Sequence, residues 1–134
     1  MSNTRRALLL FAHGARDPRW ARPFEAVVQR VRELQPGTEV KLAFLELMEP
    51  SLRSAAESLI AAGHTRIDVL PLFLGTGGHV RHDLPKLLAE LNDAHPGTTL
   101  TLHTAVGETD GVIDAMARVA LAVSQADSDP PLRP

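Results

Sequence analysis

Two apolar runs in this chain each end in a glycine turn that carries a histidine. "ALLLFA" leads into His13-Gly14-Ala15-Arg16-Asp17, and "RIDVLPLFL" leads into Gly75-Thr76-Gly77-Gly78-His79. Glu46 closes a third apolar run, and Glu108 follows a fourth, more polar one. Imidazole near neutral pH is both a proton acceptor and a nitrogen ligand for borderline divalent metals. The chain has no cysteine, so a metal would meet only His, Asp, Glu or water. Two imidazoles and one carboxylate fall short of the four closed ligands of a structural zinc site. Such a set suits a metal that is held loosely and passed on. With a bound water, the same trio also suits a hydrolase or phosphoryl-transfer enzyme. The bland reading is that the histidines are hydrogen-bonded strand caps and that Glu46 favours the start of the next helix.

Four strands are needed to bring these residues together. The expected strands are Ala7–Ala12, Glu39–Glu46, Arg66–Leu74 and Thr98–Ala105, each followed by a helical pattern. The first helix is expected between Pro18 and Leu34, with Trp20, Phe24, Val27, Val28, Val31 and Leu34 at helical spacing and Pro23 marking a kink or the true start. The second spans about Ser51 to Ala62 and stops at Gly63; the third runs from the glycine loop to Ala94; the last covers about Asp110 to Val123. Pro71 is awkward for a central strand. The βαβαβαβα order predicts an α/β fold, a four-stranded parallel sheet with helices on both faces, of flavodoxin-like type. Residues 1–124 are expected to form one domain and 125–134 a disordered, proline-rich tail. Open parallel sheets bind ligands at the carboxyl ends of their strands, where His13, Glu46, His79 and Glu108 all fall. His64, His95 and His103 read as structural, and His82 and Asp83 as intermediate.

The glycine loop lacks the Lys-Ser/Thr of a P-loop and the dinucleotide fingerprint. With Arg16 and Arg81 nearby it reads better as an anion site for carboxylates. The formal net charge of −2 and the scarcity of aromatics, one Trp and no Tyr, speak against a nucleic-acid partner. No apolar stretch approaches a membrane span, and the short N-terminal run leads into a turn rather than a leader cleavage site. The chain reads as soluble and cytoplasmic.

"LLLFAHGARDPRW", "AFLELMEPSL" and "VLPLFLGTGGHVRHDLP" together resemble the motif blocks of the small sirohydrochlorin chelatases, the cobalt- or iron-inserting class II enzymes of cobalamin and sirohaem synthesis. The resemblance covers about residues 6 to 124 and differs at Ala15, where the family usually has Ser. It implies that His13 and His79 bind the incoming Co2+ or Fe2+, with Ni2+ as a third candidate, and handle the pyrrole protons. It also implies that Glu46 is the catalytic carboxylate. Gly14, Arg16, Gly77, Gly78 and Arg81 are then expected to receive the macrocycle. The metal is a substrate, and no organic cofactor is expected. Larger relatives set two such domains across a cleft, so a chain of this length implies a homodimer. A metal-dependent hydrolase and a non-enzymatic metal or tetrapyrrole carrier are the alternatives.

Overall fold

The N-terminal apolar run is continuous because both of its faces are covered. It forms strand β1 (Arg6–Ala12), which lies inside a sheet with β2 (Glu39–Phe44) on one side and β3 (Arg66–Pro71) on the other; β4 (Thr99–Leu102) completes the order β2-β1-β3-β4. All neighbouring pairs are parallel, with Leu10 opposite Leu42 on one side and Leu70 on the other. The structure is a computed structural model that describes residues 5–126, the side chain of His79 excepted. Residues 127–134, most of the expected tail, lie outside the described residues.

Three helices connect the strands and cover the sheet, α1 (Arg22–Leu34), α2 (Leu52–Ala61) and α3 (Gly78–Ala94), and a fourth, α4 (Asp110–Ser124), follows β4. Alternate residues of β1 feed two cores. Ala7, Leu9 and Phe11 pack with Leu52, Ala55, Ala56 and Leu59 of α2 and Leu84, Leu88 and Leu91 of α3. Leu8 and Leu10 face the other way, with Val28 and Val31 of α1. Leu9, Leu10 and Ile67 are completely buried, each a gain of about 1.5–3 kcal/mol before chain entropy is counted.

Local chemistry sets the helix ends. Pro18–Ala21 is a short 3-10 turn capped by Asp17, and α1 begins at Arg22 with Pro23 in its first turn, where a missing N–H does no harm. Ser51 caps α2 by accepting the Ser54 N–H at 3.1 Å. At the other end Gly63, with φ of +95°, allows paired bonds from Gly63 N–H to Ile60 and from His64 N–H to Leu59. Pro85 lies inside α3, leaving the Arg81 carbonyl without its usual helical donor.

Three strands stop earlier than expected, and the difference matters for the rim. β2 ends at Phe44, so Leu45 and Glu46 belong to the loop; β3 ends at Pro71, its last paired position, which removes the difficulty of a proline in an interior strand. β4, at the sheet edge, ends at Leu102 rather than Ala105. Helix α4 buries none of its side chains: Ile113, Met116, Val119 and Val123 are 49–74 % exposed.

Candidate functional site

The strand order reverses between β1 and β3, because the chain passes from β1 to β2 on one side and then returns to β3 on the other. The helices that follow β1 and β3 pack on opposite faces of the sheet, and open parallel sheets bind ligands at the carboxyl edge beside such a reversal. His13 emerges directly after β1. Its carbonyl accepts the Trp20 indole N–H at 2.6 Å, and Asp17 holds the following turn through the Arg19 backbone N–H at 2.9 Å. The Asp17 carboxyl lies below its ordinary value of 3.8, first because of the Arg19 side chain and then because of the Arg19 backbone N–H.

Glu46 reaches the same place from β2. The chain turns back on itself there: Met48 N–H donates to the Glu46 carbonyl at 2.7 Å across Leu47, whose φ is +64°. That is a three-residue turn with a positive φ, a strained conformation for leucine. Gly14 presses against the same carbonyl, and a Cβ on Gly14 would overlap the Glu46 oxygen. The β1 and β2 loops are thus locked together at the backbone, and the side chains of His13 and Glu46 meet above the lock. His13 Nδ1 lies 3.8 Å from Glu46 Oε1, and the two side chains are 47 % and 43 % exposed. Phe73, just beyond β3, lies under the imidazole; the rings are stacked with centroids 4.4 Å apart.

His79 is the second residue of α3, so its backbone sits at the carboxyl edge, beside the β3 loop; its side chain lies outside the described residues. Gly77 and Gly78 are exposed, and a Cβ on Gly75, Gly77 or Gly78 would meet nothing within 4 Å. Arg16 is exposed after β1, and Arg81 on α3 reaches back to the Thr76 carbonyl at 3.5 Å. Glu108 is not beside His13. It shares a cleft of about 410 Å³ with Arg81, Thr76 and His103. His103 pairs with Asp68 at 2.8 Å, His64 is buried, and His95 caps α3. Among the described residues no three metal-ligating side chains cluster. A cleft of about 730 Å³ between α1 and β2 contains neither His13 nor Glu46. The pair stands on an open rim that could offer a donor and a proton acceptor to a large ligand.

Reading the sequence alone missed Phe73, Trp20 and an apolar fringe. Phe73 looked like strand core and Trp20 like helix core, and both assignments hid contacts to His13. Leu45, Leu47 and Leu74, all in rim loops, are 41–69 % exposed. Leu45 and Leu74 fall inside the expected strands, so the sequence carried no signal for their exposure.

The CbiX family model matches residues 7–122. A sirohydrochlorin cobaltochelatase of Methanopyrus kandleri is 34% identical over 82 residues, 61% of this chain and 57% of that protein. A sirohydrochlorin ferrochelatase of Bacillus subtilis is 25% identical over 142 residues, 96% of this chain and 54% of that protein. The chain thus spans a little over half the length of these curated relatives. A CbiX protein of Marinobacter aquaeolei superposes with a TM-score of 0.78 at 30% identity, over 90% of this chain and 98% of that one. The cobalt complex of the sirohydrochlorin chelatase SirB from Bacillus subtilis subspecies spizizenii gives 0.71 at 26% identity, over 90% of this chain and 51% of that one. Among the described residues no helix is long and apolar enough to cross a membrane.

Proposed function

The chain belongs to the CbiX family, and from that premise we propose that it inserts Co2+ or Fe2+ into sirohydrochlorin as a cytoplasmic enzyme. The domain responsible is the chelatase-like unit over residues 1–124. The observation that carries this reading is the His13–Glu46 pair, held over locked backbones at the carboxyl edge where the strand order reverses. Insertion exchanges two pyrrole N–H protons for one M2+. It needs a donor that binds the metal without keeping it, and bases that take two protons. His13 and His79 serve as ligands and proton acceptors, and Glu46 accepts or relays a proton. Nitrogen donors without thiolate accept Co2+, Fe2+ and Ni2+ alike, so the ligand types do not assign the metal.

The open rim supports a broad substrate. Leu45, Leu47 and Leu74 offer apolar contact to a flat macrocycle, while Gly14, Arg16, Gly77, Gly78 and Arg81 receive its carboxylates. One chain supplies one wall. Helix α4 supports a homodimer as the source of the other: Val112, Met116, Val119 and Val123 form a stripe at spacings of four, three and four residues, and the last three are at least half exposed. No nucleic acid or membrane takes part in this reading.

Anaerobic incubation of the protein with sirohydrochlorin and each metal in turn, followed by visible absorbance, tests the activity. A protein-dependent shift to the metallated spectrum is expected with Co2+ or Fe2+. Binding of the macrocycle with no protein-dependent insertion would make the protein a carrier. Tight retention of metal through a chelator wash, without insertion, would favour the hydrolase. Light scattering should give twice the chain mass, and Met116→Glu should reduce it to one.

A further inference from the structure

We propose that Phe73 is the positioning residue for His13, setting the plane of the imidazole while using neither of its ring nitrogens. The inference deepens the metal-insertion reading of the rim and rests on it. Histidines that bind metal are ordinarily oriented by a hydrogen bond from the second ring nitrogen to a carboxylate or carbonyl. Here the nearest carboxylate oxygen among the described residues, Glu46 Oε1, is 3.8 Å from Nδ1, beyond hydrogen-bond distance. The ring is instead laid on Phe73, with centroids 4.4 Å apart and planes 30° apart.

The platform is fixed from two further directions. Phe73 is 4 % exposed and its ring tilts against Phe11, itself 1 % exposed, at 5.7 Å. Its carbonyl accepts the Gly107 N–H at 2.9 Å, and a Cβ on Gly107 would overlap the backbone of Leu74. Phe73 therefore cannot shift without moving both the core and the loop after β4. A stacked imidazole needs no hydrogen bond to hold its plane, so its one lone pair can bind the metal and, after the metal has left, take a pyrrole proton, while Glu46 beside Nδ1 receives the proton that Nδ1 then releases. An orienting hydrogen bond would tie up the nitrogen through which that proton leaves.

Phe73→Leu and Phe73→Met remove the aromatic face while keeping apolar bulk, and Phe73→Tyr keeps the face. The full-length chain is measured for Co2+ affinity at 25 °C, His13 ring-proton chemical shifts, thermal unfolding, and kcat and KM for insertion. In the unmodified protein the stacked phenyl should displace the His13 ring-proton signals, and Phe73→Leu and Phe73→Met should abolish that displacement. Both should weaken Co2+ binding about tenfold, the lower end of what an orienting partner contributes. They should lower kcat with KM for sirohydrochlorin unchanged, and Phe73→Tyr should restore binding and kcat. Unchanged Co2+ affinity in a folded Leu or Met variant, even with a lower melting temperature, makes Phe73 a structural residue only and overturns the proposal. Unchanged ring shifts do the same. Failure of the insertion reading shows separately, as an unmodified protein that inserts no metal and binds Co2+ no better than His13→Ala.

Discussion

The two glycine turns of the rim look alike in sequence and do opposite things. Gly14 is hemmed in: its α-carbon lies against the Glu46 carbonyl with no room for a methyl group. Gly75, Gly77 and Gly78 have open space where a Cβ would go, and Gly77 has an ordinary φ of −74°. One turn needs glycine so that two loops can touch. The other gains from glycine by leaving backbone uncovered toward whatever binds. The rim therefore has a rigid half, carrying His13 and Glu46, and an open half that leads to His79.

Gly14→Ala should show the largest effect. The added methyl must push the β1 loop off the β2 loop, and the strained turn at Leu47 leaves little slack. A loss of about 3 kcal/mol in urea unfolding, at the upper end for overpacking, should accompany loss of insertion. Near-normal stability and activity would mean that the two loops are not locked.

His13→Ala and Glu46→Gln should separate presentation from support. Both side chains are nearly half exposed, so unfolding should change by no more than about 0.5 kcal/mol for Glu46→Gln and about 1.5 kcal/mol for His13→Ala, which also removes the ring stacked on Phe73. Insertion should nevertheless fall at least about 100-fold, the lower range for a positioned proton-transfer group. Activity within a factor of two of the unmodified protein would remove the residue concerned from the site.

On the open half, Gly77→Ala and Gly78→Ala should be nearly silent in stability, within about 0.5–1 kcal/mol. If the proposed reading holds, their effect should appear as a higher KM for sirohydrochlorin, since a methyl there projects into open space. A stability loss matching that of Gly14→Ala would erase the distinction between the halves.

The smallest effect belongs to Asp17, which tethers the rigid half at its outer end. Its folded-state pKa is depressed by Arg19. The contribution is therefore present above the unfolded value of about 3.9 and is lost as pH falls through the folded value. Asp17→Asn should be slightly less stable at pH 7, and the two unfolding curves should converge in acid. A difference that grows as pH falls would give the shift the wrong sign.

Much of this molecule follows from short-range pattern. Continuous apolar runs mark strands covered on both faces, and Gly37 and Gly63, both at positive φ, mark helix stops. The alternation of strand and helix requires a parallel sheet, which places His13, Glu46 and the loop leading to His79 at one edge before any packing is known. Those conclusions need only the local periodicity of the backbone and the direction of the strands. Which residues touch is another matter. The order β2-β1-β3-β4 makes β3 a neighbour of β1, and only that adjacency lays His13 on Phe73. The contact of Gly14 with Glu46 and that of Gly107 with Leu74 join residues 32 and 33 positions apart in the chain. Glu46 left its expected strand because a turn at Leu47 draws it into the loop. Helix α4 has the periodicity of a packed helix, yet none of its side chains is buried among the described residues. Amphipathicity states that a face needs covering, whereas the three-dimensional arrangement decides what can reach it. The sequence by itself determined which residues arrive at the rim, since strand direction is a local property; only the tertiary structure decided their contacts, since contact depends on how distant segments pack.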